Sequence, residues 1–161
     1  MLPDVVAEDP GALEIAGRLP DAIVDAKREP DGLVFYIDPA QLVAVCSFLK
    51  EAKNFEQLAA ITAVDWWPRT PRFEVVYFLH SYSENKRMRL QVRVAENDEV
   101  DSVCSVWRGA NWYEREVFDL FGISFRNHPN LERIMLPADW AGNPLRKDYP
   151  VHGHKYSYQD E

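Results

Sequence analysis

Residues 114–150 read EREVFDLFGISFRNHPNLERIMLPADWAGNPLRKDYP, with charged and aromatic side chains concentrated at the start. Four prolines follow, at positions 129, 137, 144 and 150. Because proline removes a backbone donor and clashes with the preceding turn, this stretch cannot form one helix. It is also too rich in Trp, Phe, Leu and Ile to remain a solvated tail. We therefore expect it to lie on another protein surface.

The composition of the whole chain limits the classes of function. A chain of 161 residues has the size of one domain, and it can bury about 70% of its unfolded surface without needing metal or disulfides. The net charge of −8 argues against nucleic acid as a partner, because phosphate binding requires a basic face. We see no secretory signal and no apolar run long enough for a transmembrane helix. We expect membrane association only through a partner.

The sequence offers no cofactor site. Cys46 and Cys104 each lie among apolar residues, which is typical of reduced core thiols in a cytosolic protein. Two cysteines cannot ligate a conventional four-thiolate iron–sulfur cluster. No glycine-rich fingerprint follows a strand and opens a helix, so we predict no nucleotide site.

Hydrophobic periodicity and turn chemistry predict the elements that precede the tail. Strands are expected at 22–28, 32–37, 55–64, 73–80 and 87–94, and helices at 10–19, from Asp38 onward, at 102–107 and at 110–121. Leu42, Val45, Cys46 and Leu49 share one face of the helix that Asp38 caps. Residues 95–101 are expected to form an acidic linker.

The order of these elements predicts an α+β fold. We expect a mixed or antiparallel sheet with helices mainly on one face, formed by residues 1–125, followed by an extended, proline-rich C-terminal tail, 126–161. The strand at 87–94 alternates apolar residues with arginines. Those arginines should mark the uncovered face of the sheet or an interface.

Two groups of side chains are candidates for chemistry, and each has a structural alternative. His128, His152 and His154 could chelate a metal, but a solvated tail is the favoured interpretation. Glu114, Glu116 and Asp119 could act as acid and base. They could instead form a charge network that fastens the tail to the helix: Arg115 is close enough to pair with Asp119, and three cations of the tail could neutralise the rest. These cations are Arg133, Arg146 and Lys147. We favour the network and predict no catalytic, cofactor-binding or metal-ligating residue.

Several of these segments resemble a known family. The segment NWYERE at 111–116, DLFGI at 119–123 and PLRKDYP at 144–150 are similar to the signature of the C subunit of proton-pumping NADH:quinone oxidoreductase, the small hydrophilic peripheral-arm subunit of respiratory complex I. The resemblance extends over about residues 30–150. The expected signature and subunit-interface residues are Glu114, Arg115, Glu116, Asp119, Phe121, Gly122, His128, Pro129, Arg133, Pro137, Trp140, Pro144, Leu145, Arg146, Lys147, Asp148, Tyr149 and Pro150.

The resemblance implies a non-catalytic structural and assembly subunit. Complex I transfers electrons from NADH through FMN and iron–sulfur clusters to quinone and couples this transfer to proton translocation. The resemblance implies that those cofactors belong to other subunits and that the isolated chain has no activity. The implied partners are the large quinone-site subunit and the small cluster-bearing subunit, on the cytoplasmic side of the inner membrane. A related membrane-bound hydrogenase or ferredoxin-driven complex is the alternative, and a stand-alone enzyme is a third hypothesis.

The tail is expected to dock on a partner. Its prolines restrict the backbone and lower the entropy lost on docking. An extended segment of this length reaches beyond the radius of a small domain, so we expect it to wrap a neighbouring subunit.

Overall fold

The computed structural model describes residues 4–153. Its helices are Pro10–Arg18 (α1), Leu42–Lys53 (α2) and Ala110–Phe121 (α3). Its strands are Ile23–Glu29 (β1), Gly32–Ile37 (β2), Gln57–Asp65 (β3), Phe73–Ser81 (β4), Lys86–Val94 (β5), Glu99–Asp101 (β6) and Ser124–Arg126 (β7). No helix within residues 4–153 combines the length and the hydropathy that crossing a bilayer requires.

The main sheet has the strand order β1-β2-β5-β4-β3. β2 and β5 pair in parallel, whereas the other neighbouring strands pair antiparallel. The parallel pair sits at the sheet centre because two separate hairpin-like units, β1–β2 and the β3–β5 meander, meet there. The mixed sheet and the α+β class are as predicted.

The helices cover one face of this sheet. On α1, Gly11 lies against Met88 of β5, and Trp107, just before α3, donates from its indole to the Phe55 carbonyl (3.2 Å). The other face carries the arginines of β5. Arg89 donates to Glu29 at 2.7 Å and also pairs with Asp31. The predicted placement of the helices and of the arginines is confirmed.

Asp38 begins the segment that leads into α2. Its carboxylate accepts a hydrogen bond from the Ala40 amide (2.8 Å), which satisfies one of the free donors at a helix start. Residues Pro39–Gln41 form a short 3₁₀ turn before α2. The predicted apolar face of α2 is buried and comprises Leu42, Val45, Cys46 and Leu49.

Residues 95–107 differ from the sequence prediction. The expected helix at 102–107 is wrong: these residues form one turn, closed by the Trp107 amide on the Val103 carbonyl (2.9 Å). The expected linker before it contains β6, which pairs in parallel with β7. The Ser102 amide extends this ladder by donating to the Arg126 carbonyl (2.9 Å). Partners far away in the sequence therefore hold this backbone extended.

After β7, residues 127–153 contain turns but no helix or strand. This irregular segment follows β7, which ends at Arg126. Residues 154–161, and with them His154, lie outside the described part of the chain.

Candidate functional site

The tail runs beside α3 in the same direction as the helix. Near the start of α3, the His128 ring lies 3.1 Å from the Asn111 carbonyl. Further along, Arg115 donates to the Glu132 carbonyl (3.0 Å). At the end of the helix, the Leu145 amide donates to the Leu120 carbonyl (3.0 Å). The described tail therefore lies on a surface of its own chain, and its docking on a neighbouring subunit stays a prediction.

Glu114 is a fully buried carboxylate at the centre of α3. It accepts hydrogen bonds from the Ser102 hydroxyl (2.6 Å), the Val103 amide (2.7 Å) and the Cys104 thiol (3.3 Å). Burial raises its pKa, and these three donors act in the opposite direction. The bonds from Ser102 and Val103 hold this segment against α3. Glu114 thus fixes the segment that precedes α3.

His128 connects the first turn of α3 to the tail, and its hydrogen bonds determine its tautomer. Nδ1 lies 3.0 Å from the amide of Asn130, which can only donate. The proton of the neutral ring therefore sits on Nε2 and points to the Asn111 carbonyl. Nε2 also lies 3.8 Å from a Glu114 oxygen.

The strongest metal-binding geometry in residues 4–153 involves His128 but not the other histidines. Ligand atoms of Cys104, Glu114 and His128 lie within 4.8 Å of one another. Both ring nitrogens of His128 are already used in hydrogen bonds, and the thiol donates to Glu114. Burial raises the pKa of Cys104 to about 11, which disfavours the thiolate that a metal requires. The ligand atoms of this group are therefore already engaged in hydrogen bonds and do not form a ready metal site.

Asp119, five residues after Glu114 on the same helix, fastens the tail to α3. Its buried carboxylate accepts hydrogen bonds from three successive tail amides, those of Ile134 (3.0 Å), Met135 (2.7 Å) and Leu136 (3.0 Å). It also pairs with Arg133 at 3.2 Å. Burying a carboxylate is costly unless hydrogen-bond donors surround it, and residues 133–136 of the tail supply all four donors of Asp119.

The C-terminus of α3 is closed by the tail as well. Gly122 ends the helix at φ +76°, a conformation that favours glycine. A Cβ at Gly122 would lie 2.7 Å from the Asn143 side-chain oxygen, so the tail also excludes any larger residue. Asn143 donates to the Asp119 carbonyl (2.9 Å), one of the free acceptors at the helix end. Asn143 was not among the predicted site residues.

A second attachment, which the sequence did not predict, centres on Arg72. This guanidinium is only 4% exposed and reaches Asp65 (2.8 Å), Glu96 (2.8 Å) and Asp148 of the tail (2.7 Å). Although burial raises the pKa of Asp65, hydrogen bonds from Arg72 and from two amides lower it to about 2. An arginine at the start of an apolar strand was the only sequence signal for this network.

Three predicted charge pairings are therefore corrected. Arg115 does not pair with Asp119; it stacks on the Trp112 ring (4.9 Å) and donates to the Glu132 carbonyl. Arg146 does not neutralise α3 but joins Asp148 (3.2 Å) and Glu96. The backbone amide of Lys147 donates to Asp65 (2.8 Å), while its side chain lies over Trp66. Of the three cations proposed from the sequence, only Arg133 reaches a carboxylate of α3.

The geometry does not support acid–base chemistry at the α3 carboxylates. Glu114 and Asp119 have no exposed surface, so no substrate can reach them. Glu116 is exposed, and its side chain makes no hydrogen bond or ion pair within residues 4–153.

The remaining predicted residues lie in or beside the tail. Phe121 is buried in the core. Those that are half-buried are Trp140, Pro144 and Tyr149. Those that are exposed are Pro129, Pro137, Leu145 and Pro150. Among the described tail residues, Met135 (61%) and Leu145 (52%) are large apolar side chains facing solvent, and Trp112 of α3 is 62% exposed.

Comparisons with known proteins agree on one family. The family model described as respiratory-chain NADH dehydrogenase, 30 Kd subunit, matches residues 35–155. The C subunit of the NADH-quinone oxidoreductase of Geotalea uraniireducens is 40% identical over 151 residues, covering 93% of this chain and 92% of that protein. The corresponding subunit of a Roseiflexus species is 44% identical over 147 residues, covering 89% and 84%.

A solved structure has the same fold. A chain in the membrane-bound sulfane sulfur reductase, an archaeal respiratory membrane complex, superposes with a TM-score of 0.72 at 25% identity, covering 86% of this chain and 83% of that chain. The resemblance seen in the sequence is confirmed. The family model spans the 121 positions from residue 35 to residue 155, and the Geotalea subunit is matched over 92% of its length. This chain therefore belongs to the family of the respiratory-chain NADH dehydrogenase 30 Kd subunit.

Proposed function

We propose that this chain is a non-catalytic structural and assembly subunit in the peripheral arm of an NADH:quinone oxidoreductase. In this role it binds the large quinone-site subunit and the small cluster-bearing subunit on the cytoplasmic side of the inner membrane. FMN and the iron–sulfur clusters belong to other subunits, and the isolated chain transfers no electrons. The family membership supports the complex, and the arrangement of α3 and the tail supports the role.

One observation carries the proposal: the inner and outer sides of the tail differ. On the inner side, Asp119 and Arg72 are each surrounded by hydrogen-bonding partners. Facing solvent, Trp112 at the start of α3 and Met135 and Leu145 of the tail near its end each expose more than half of their surface. We call these three residues the docking surface. Large apolar side chains held on a fixed backbone are typical of interface hot spots.

Arg115 prepares the docking surface for binding. Its guanidinium lies 4.9 Å from the centre of the Trp112 ring and is also held by the Glu132 carbonyl. A tryptophan with a fixed orientation loses little rotamer entropy when a partner covers it. Trp112 is therefore the residue expected to contribute most to docking.

A second candidate role follows from the structural comparison. The similar chain in the archaeal sulfane sulfur reductase belongs to a different respiratory membrane complex. An equivalent subunit of a membrane-bound hydrogenase or ferredoxin-driven complex would use the same docking surface with another electron donor. Oxidation of NADH by the purified native complex distinguishes the two roles.

The proposal is tested by affinity purification of the tagged chain from detergent-solubilised native membranes. We expect the large quinone-site subunit to be recovered with it. Trp112→Ala with Leu145→Ala should reduce this recovery by more than tenfold, because losing a hot spot costs about 2 kcal/mol or more. The control pair is Leu13→Ala with Val24→Ala, which removes two comparably exposed apolar side chains elsewhere. Recovery of the wild-type chain as a lone monomer contradicts the proposal.

A further inference from the structure

We propose that the loop between β3 and β4, together with Lys147, forms a second docking surface that binds a carboxylate-bearing segment of a neighbouring subunit. This cationic loop surface consists of Trp66, Trp67, Arg69 and Lys147. The inference rests on the proposed function, since it requires a neighbouring subunit, but it concerns a different part of the chain from Trp112, Met135 and Leu145.

Two cations flank one indole in this surface. The Arg69 guanidinium lies 5.2 Å and the Lys147 ammonium 5.9 Å from the centre of the Trp66 ring. Both side chains are exposed. Contact with the ring face holds the two charges in place without neutralising them.

The backbone under these side chains is fixed. The Trp66 amide donates to the Arg72 carbonyl (2.8 Å), and the Arg69 amide donates to the Trp66 carbonyl (2.9 Å). Asp65 accepts from the amides of Trp67 (2.9 Å) and Lys147 (2.8 Å). The loop and the tail are thus held at the same carboxylate, which fixes Lys147 beside Trp66.

The cationic loop surface keeps a net positive charge after the nearby acids are counted. Within residues 4–153, neither Arg69 nor Lys147 has an ion pair with a carboxylate. The three nearby acids, Asp65, Glu96 and Asp148, pair with Arg72 and Arg146, so they leave one negative charge against the two charges of Arg69 and Lys147. Two free cations at one spot are unusual for a chain whose net charge is −8, and they favour an anionic partner.

An acidic protein segment is the occupant that fits best. Trp67 is 50% exposed and offers an apolar contact beside the two cations. Tryptophan and arginine are the residues most enriched at the energetic centres of protein interfaces. Arg69 can bind a carboxylate through two hydrogen bonds, while Lys147 acts as a point charge. Nucleic acid fits poorly, because its phosphates would also meet the surrounding negative charge.

Carbodiimide cross-linking of the purified native complex tests this contact directly, because the reagent joins a lysine amine to a touching carboxylate. We expect Lys147 to become linked to an Asp or Glu of another subunit. The Lys86–Glu84 pair, 2.6 Å apart, is the internal control for the reaction. With that control linked, absence of any link from Lys147 to another subunit overturns the proposal. Lys147→Arg should remove the link and preserve assembly.

Charge reversal provides a second test. Arg69→Glu with Lys147→Glu should lower recovery of the complex about tenfold, as expected for losing charge pairs at an interface. Arg18→Glu with Arg87→Glu changes the net charge equally at exposed positions elsewhere and should leave recovery unchanged. Equal recovery with both double variants contradicts the cationic loop surface and leaves the proposed function untouched. A wild-type chain that recovers no other subunit contradicts the proposed function instead.

Two other ligands are outcomes that would overturn the proposal. Binding of the isolated chain to phosphatidylglycerol vesicles, lost on charge reversal, would assign the surface to a lipid headgroup. Saturable binding of inorganic phosphate, lost in the same variant, would assign it to a free anion. We expect neither.

Discussion

Two of the tail's attachments to its own domain use opposite charges. At the first, the domain provides a buried carboxylate, Asp119, and the tail provides backbone amides and Arg133. At the second, the domain provides a buried guanidinium, Arg72, and the tail provides the carboxylate of Asp148. The first attachment depends mainly on where the tail backbone runs, whereas the second depends on a particular side chain.

This difference determines how each attachment should respond to change. Asp119 keeps its backbone donors whatever side chains follow Arg133, so its environment tolerates substitution in the tail. Arg72 also holds Asp65 and Glu96. Removing the tail therefore leaves Arg72 with two carboxylate partners but uncovers the end of α3, where Asn143 closes Gly122.

The largest expected effect is that of Arg72→Met. It leaves the buried carboxylate of Asp65 without its counter-ion and should cost about 3–5 kcal/mol in the free energy of unfolding. Urea denaturation of the isolated chain measures this cost. Arg87→Met, at an exposed position, is the control. The double variant Arg72→Met with Asp65→Asn should regain part of the lost stability. If the losses of the two single variants simply add, the two residues are not coupled.

Asp119→Asn should have the next largest effect. The amide keeps one acceptor oxygen but loses the charge that attracts Arg133 and the three tail amides. We expect a loss of about 2 kcal/mol by the same measurement, because hydrogen bonds to charged groups are the stronger ones. Asp139→Asn, in an exposed part of the tail, should change little. Equal stability of the two variants would mean that Asp119 does not hold the tail.

Acid titration tests the attachment at Arg72. The pKa of Asp65 is lowered from 3.8 to about 2, so the folded state favours its ionised form. The ionised Asp65 therefore contributes about 2 kcal/mol to the free energy of unfolding. This contribution is fully present above about pH 4 and is lost as the pH falls toward 2. Hydrogen bonds from Arg72 and Arg146 also lower the pKa of Asp148. The free energy of unfolding should fall less steeply below pH 4 in Asp65→Asn, and parallel curves would contradict this account.

The smallest expected effect is that of Arg115→Ala. Since Arg115 stacks on an exposed tryptophan and reaches only one backbone carbonyl, we expect a loss of no more than about 1 kcal/mol. Thermal unfolding of the isolated chain would reveal any larger effect. Glu116→Gln on the same helix should be neutral. A loss of several kcal/mol for Arg115→Ala would restore the pairing with Asp119 that the sequence suggested.

Elements with local causes could be predicted from the sequence, and contacts between distant segments could not. The alternation in β5 and the apolar face of α2 predicted strand, helix and burial correctly. The β6–β7 pair joins residues 99–101 to residues 124–126, and no local pattern encodes such a pairing. The helix expected at 102–107 is a single turn, and distant residues hold its start: Glu114 accepts from the Val103 amide and Arg126 from the Ser102 amide.

The tail shows how much composition alone can establish. Its prolines and apolar residues correctly indicated a segment that lies on a protein surface. The length of an extended segment gives only an upper limit on its reach, and Asp119 and Arg72 hold this one close to α3. That Arg72 lies opposite Asp148, 76 positions later, could be learned only from the fold.

The central claim is that the tail is fixed on its own domain before any partner binds. Hydrogen exchange of the isolated full chain, resolved by residue with NMR, tests this claim most directly. The amides of Ile134, Met135 and Leu136, all bound to Asp119, should exchange about 100-fold more slowly than in an unstructured peptide, and Asp119→Asn should remove this protection. Exchange of these amides at the unstructured rate in the isolated chain, with protection only in the assembled complex, would contradict the account.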